Sequence, residues 1–167
     1  MITAVVHVRQ ADRPEAIEAL ADSLSALVAG VAAGVVGDAV IVAADPTDRD
    51  LALVADRTGA ALVARGADPW FAAAAVARRS WLFCLEAGDV PAEGWIRTLD
   101  RFAGTAPEGV LGRLRRPHAP LPHRLAARIE TVAGTRTMRA GDVVRREALP
   151  LAGRLRVRRL NGMLMRE

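Results

Sequence analysis

Short apolar runs alternate with helical periods along most of this chain, and few folds accept that order. Ile2–Val8 is dense in β-branched residues and predicts a buried strand. Ala39–Ala43, Ala60–Ala64 and Trp81–Leu85 predict three more, none with a polar residue. Strands without a polar face belong to sheets covered on both sides. Between them lie helical signals. Asp12 and Glu15 have capping-box spacing ahead of an apolar stripe from Ile17 to Val28. Thr47 and Asp48 can cap a segment lined by Leu51, Val54 and Ala55, with Gly59 as its left-handed end. Asp68-Pro69 opens an alanine-rich helix reaching Arg79, and Pro91 opens another carrying Trp95, Ile96, Leu99 and Phe102. Gly109–Leu114 predicts a fifth strand. The expected fold is a three-layer α/β/α domain around a mostly parallel sheet.

Beyond this the pattern loosens. Arg115–His123 is a proline-broken basic loop, and Leu125–Val132 predicts a helix. Thr135–Met138, Asp142–Arg145 and Arg154–Arg158 predict short strands. Charge divides the chain at the same place. All 23 basic residues are arginine. Residues 1–112 set nine of them against fifteen acids, net −6, whereas residues 113–167 set fourteen against four, net +10. The expected organisation is an α/β half over 1–112 and an arginine-rich extension of the same domain over 113–167. GC-rich codons account for arginine in place of lysine, but not for its concentration at one end. That concentration points to an anionic partner.

Several classes are excluded. The chain has 167 residues, a length suited to one domain, and no apolar run of the roughly 18 residues that span a bilayer. Met1–Val8 reads as a strand rather than a signal peptide, so the expected location is the cytoplasm, free or at an anionic membrane surface. A single cysteine, Cys84, rules out an internal disulfide framework and reads as an inert core residue. There is no Gly-x-Gly-x-x-Gly, no Gly-x-Ser-x-Gly, and without lysine no P-loop.

In an open α/β sheet, ligands bind beyond the carboxyl ends of the strands. Those ends are Arg9–Asp12, Ala44–Asp50, Arg65–Asp68 and Glu86–Asp89. Glu86 and Asp89, with Gly88 between them, are candidate oxygen ligands for magnesium or manganese, against the plainer reading of a solvated turn. His7 reads as a hydrogen-bonded core or cleft-edge residue, His118 and His123 as exposed loop residues, and Trp70, Trp81 and Trp95 as packing groups.

The order of segments resembles family-2 glycosyltransferases of the GT-A fold. The family's opening strand and helix are matched by Val5–Val8 and the segment from Asp12 to Val28. Its Val-Ile-Val-Val-Asp-Gly-Gly-Ser-Thr-Asp stretch is matched in shape by Val40–Asp48, its Ala-Gly-Ala turn by Thr58–Val63, and its Gly-Arg-Gly-Ala by Ala64–Ala67. The fullest match is Trp81–Trp95, Trp-Leu-Phe-Cys-Leu-Glu-Ala-Gly-Asp-Val-Pro-Ala-Glu-Gly-Trp. Ala140–Leu149 resembles the family's Gly-Asp to Arg-Arg-Glu stretch. The resemblance covers most of 2–103 and, faintly, 120–149.

The resemblance implies binding of a nucleotide-diphosphate sugar. Asp12, Asp45 and Arg65 would hold the nucleotide, Glu86 and Asp89 a divalent cation, magnesium or manganese, on the diphosphate. Arginines of the extension would clamp phosphate. The motifs also depart from the family. Its metal-binding Asp-x-Asp falls on Glu86-Ala87-Gly88, with Asp89 one residue late, and its second-strand aspartate falls on Ala44, with Asp45 displaced by one. No segment matches the family's catalytic base, so no catalytic residue can be named. A glycosyltransferase-like enzyme and a non-catalytic binding or regulatory module of the same fold therefore stand side by side. A third reading is a surface binder, acting on a membrane or a protein through the arginines. Nucleic acid is disfavoured, because residues 113–167 contain no aromatic residue for base stacking.

Overall fold

The computed structural model describes residues 1–166. Eight strands form one sheet: β1 (Ile2–His7), β2 (Val36–Ala43), β3 (Ala61–Ala64), β4 (Trp81–Glu86), β5 (Asp89–Pro91), β6 (Val110–Arg115), β7 (Asp142–Arg145) and β8 (Arg156–Arg166). Five helices connect them: α1 (Glu15–Ala32), α2 (Arg49–Thr58), α3 (Pro69–Val76), α4 (Trp95–Thr105) and α5 (Leu121–Ala133). The strand order is β3-β2-β1-β4-β7-β6-β8-β5. The run β3-β2-β1-β4 is parallel. β7 enters between β4 and β6, antiparallel to both, and β8 runs parallel to β6 and antiparallel to β5.

The two-residue period of the strands builds two cores. Ile2, Ala4 and Val6 of β1, with Trp81, Phe83 and Leu85 of β4, meet Leu20 and Leu27 of α1 and Leu99 and Phe102 of α4. Val5, Leu82 and Cys84 point the other way, against Trp70, Ala73 and Ala74 of α3. Every residue of β1 and β4 is buried, as expected of strands covered on both faces. Trp70, Trp81 and Trp95 are all core residues, and so is Cys84.

Two helix starts are as expected. Asp48 accepts from the amides of Asp50 and Leu51, and Asp68 from those of Trp70 and Phe71. Two are not. α1 begins at Glu15 with Pro14 as its N-cap, and Asp12 lies in the preceding turn. Pro14, at φ −54°, already holds a helical dihedral, and the Ala16 amide donates to the Arg13 carbonyl at 3.0 Å instead of to a capping side chain. Pro91 closes β5 rather than opening α4. It stands on the outermost strand of the sheet, where a missing N–H costs least. α3 ends at Val76 instead of Arg79, because the Arg78 and Arg79 amides turn to the Asp38 carboxylate and the Thr3 hydroxyl. Thr135 forms a single bridge to Leu155 rather than a strand. Among the described residues no helix is long and apolar enough to cross a membrane.

Candidate functional site

β1 and β4 end side by side, with His7 opposite Glu86. Both side chains follow the period of Val5 and Cys84 and so project on the α3 face. The chain then reverses at Gly88, whose φ of +90° few other residues adopt. The Gly88 amide is held by the Ala19 carbonyl and the Ser23 hydroxyl, each at 2.9 Å. The reversal returns Asp89 beneath Glu86. Its carboxylate is fully buried and accepts from the Glu86 amide at 2.8 Å.

Glu86 and Asp89 thus meet, as their spacing suggested, and guanidinium groups surround them. One Arg116 nitrogen lies 2.8 Å from Glu86 Oε2 and 3.0 Å from Asp89 Oδ1. Arg9 pairs with the other Glu86 oxygen, and Arg166 approaches to 3.9 Å. Burial pushes the Glu86 carboxyl up, but Arg116 and then Arg9 outweigh it and hold the pKa below its ordinary value. His118 is not a free loop residue: its Nε2 lies 3.3 Å from Asp89 Oδ1. Desolvation and the Arg116 charge lower its pKa, so at neutral pH the contact is a hydrogen bond from a neutral ring.

A second ionic cluster braces the wall. Arg113 meets Asp142 at two points, Nε to Oδ1 at 2.6 Å and NH2 to Oδ2 at 2.9 Å. Its third nitrogen reaches Glu130 of α5, which Arg139 also holds. Arg113 is buried in a strand of apolar residues, and its full pairing is what makes that burial tolerable.

Between these clusters lies a cleft of about 440 Å³, floored by His7 and Glu86 and walled by Trp70, Arg116 and α5. Eight arginines line it. Arg9, Arg113, Arg116 and Arg139 are paired with carboxylates. Arg115, Arg124, Arg128 and Arg159 have no carboxylate partner among the described residues. The cleft therefore carries uncompensated positive charge, which suits a phosphate-bearing ligand. A neighbouring recess of about 600 Å³, lined by Gln10, Arg13 and Arg166, shares His7, Arg9 and Glu86 with it.

His7 is 7% exposed and stands edge-on to Trp70 with ring centroids 5.8 Å apart. It is not hydrogen-bonded as expected, since its Nε2 is buried without a partner. Burial, then the Arg9 charge, lowers its pKa, leaving a neutral ring able to accept a proton.

Asp12, Asp45 and Arg65 lie on the loops after β1, β2 and β3, exposed, and none lines either recess. Asp45 is occupied locally: its carboxylate accepts from the Thr47 amide at 2.8 Å and hydroxyl at 2.6 Å, which lowers its pKa. The donor set at Glu86 and Asp89 does not fit a divalent cation. Among the described residues no three His, Cys, Asp or Glu side chains are grouped to hold one. An ion shared by the two carboxylates would also have to lie against the Arg116 guanidinium that bridges them. The cavity-lining arginines beyond the proline-broken loop escaped individual notice in the sequence. Their signal in the sequence was collective, the concentration of arginine after residue 112, with Arg113 the one individual sign as a charge inside an apolar strand.

The sequence matches no family model and no curated protein. Among solved structures, the chain is similar to mannosyl-3-phosphoglycerate synthase from Rubrobacter xylanophilus, with a TM-score of 0.58 at 15% identity over 88% of this chain. The fold is GT-A-like. The match takes in 54% of the synthase, so this chain spans about half its length. The cleft lies at the carboxyl ends of the parallel strands β1 and β4.

Proposed function

We propose that the cleft binds a nucleotide-diphosphate sugar and that the chain transfers the sugar to an acceptor hydroxyl. The supporting observation is the position of the uncompensated arginines: they flank the carboxyl end of β1 and β4 in a GT-A-like sheet. Two phosphate groups offer paired oxygens of the kind guanidinium recognises.

On this reading Glu86 and Asp89 hold arginine rather than a metal ion. Arg116 is neutralised by the two carboxylates, and the charge offered to a diphosphate as it leaves is that of Arg115, Arg124, Arg128 and Arg159. The bond from sugar carbon to phosphate oxygen breaks and its electron pair departs with the diphosphate. The acceptor oxygen forms the new bond, and its proton passes to the neutral ring of His7 on the cleft floor.

One observation favours a non-catalytic binding module instead: no cleft carboxylate is free of arginine, so none is available as a base. Thermal denaturation with UDP, GDP and their sugars separates the outcomes. A rise in Tm that is the same with manganese or with a chelator supports the cleft as drawn. No rise with any nucleotide at millimolar concentration overturns it. Binding without release of labelled sugar to water or to any acceptor favours the module.

A further inference from the structure

Helix α5 buries none of its residues. Leu121, Leu125, Ile129 and Val132 fall on one stripe and are 69%, 59%, 66% and 92% exposed. The spacing i, i+4, i+8, i+11 is that of a helix face meant for burial, yet none of the described residues covers it. The helix's one acidic residue, Glu130, turns inward to Arg113 and Arg139. Arg124 and Arg128 flank the stripe on the side of the cleft they line, and Arg136 follows the helix, exposed. Arg154 caps the helix by donating to the Ala133 carbonyl at 2.9 Å. The outward surface is therefore an apolar stripe with arginines along its cleft-side edge and just beyond its end.

We propose that α5 docks the protein on an anionic phospholipid surface, its stripe at the headgroup boundary and its arginines on lipid phosphates. Apolar area and cationic border together are what interfacial helices use, and either alone binds weakly. A second copy of the chain is disfavoured as occupant, because a two-fold contact along the stripe would bring the arginines of both helices into one seam while Glu130, the helix's one acid, is held by Arg113 and Arg139. Docking would bring the mouth of the cleft to the lipid surface. The inference stands on the surface of α5 and does not depend on the glycosyl-transfer reading.

The test is sedimentation with vesicles of phosphatidylcholine alone and of phosphatidylcholine mixed with phosphatidylglycerol. The chain should bind the mixed vesicles, hardly bind the neutral ones, and dissociate as salt rises. Leu125→Gln combined with Ile129→Gln should weaken binding by at least about tenfold, with nucleotide-dependent stabilisation unchanged. Val132→Gln, at the most exposed position, repeats the measurement should the double variant lose stability, and should weaken binding in the same direction. Absence of binding to mixed vesicles overturns the proposal, as does equal binding by the variants. So does a concentration-dependent dimer that the substitutions abolish, which would assign the stripe to a second copy.

Discussion

Asp142 is fully buried, and two nitrogens of Arg113 meet its two oxygens at 2.6 and 2.9 Å. Burial opposes the Arg113 charge, but its bonds to Asp142 and Glu130 outweigh that and raise its pKa. The pair joins β6 to β7 and, through Glu130, to α5. Removing one partner strands the other charge in the interior. Asp142→Asn or Arg113→Met should each cost about 3–5 kcal/mol in urea denaturation. The double substitution should cost much less than the sum. Additive losses would show that the two do not act as a pair.

Glu86 gives a prediction in pH. Its folded pKa lies below the ordinary 4.5, so ionised Glu86 stabilises the fold fully above that value. The contribution disappears as pH falls through the depressed folded value. Tm of the wild type should exceed that of Glu86→Gln at neutral pH, and the gap should close on acidification. A gap that widens in acid contradicts the assignment.

His7 behaves in the same direction for a different reason. Its folded pKa is below the ordinary 6.5, so protonation favours the unfolded chain and stability falls as pH drops below 6.5. An NMR titration of the His7 ring should give a midpoint under 6.5. Arg9→Gln should raise that midpoint by removing a neighbouring positive charge.

Gly30, inside α1, should resist the usual stabilising exchange. Alanine is the better helix former by about 1 kcal/mol. A Cβ here would run into the buried Trp95 ring and the Val36 side chain at 2.9 Å. Gly30→Ala should therefore destabilise by about 1–3 kcal/mol. A more stable variant would mean that Trp95 can move aside.

Local signals carried most of the α/β order. The run Trp81–Leu85 has no polar residue to mislead, Ile2–His7 is dense in β-branched residues, and Asp48 and Asp68 cap through their own neighbours. β5 was invisible because three residues ending in proline hold no period, and their partner, Leu164–Arg166, lies some seventy residues on. β8 runs to Arg166 rather than stopping at Arg158 because distant strands hold it: β6 pairs as far as Met163 and β5 with Leu164–Arg166. In the site, Glu86 and Asp89 were legible as neighbours, being three residues apart. Their arginines were not, since Arg9, Arg116 and Arg166 arrive from three distant elements.

The insertion of β7 between β4 and β6 has a consequence for how the molecule is made. A ribosome releases β1, β2, β3, β4 and β6 long before the strand that joins the last two. Until residues 142–145 emerge, β4 and β6 each keep an open edge ready to accept a foreign strand. Cutting the chain at the charge boundary near residue 112 would sever β6 itself and leave the open edge of β4 permanent. The acidic half is thus no module to be excised and expressed alone; the arginine-rich half brings the strand that closes it.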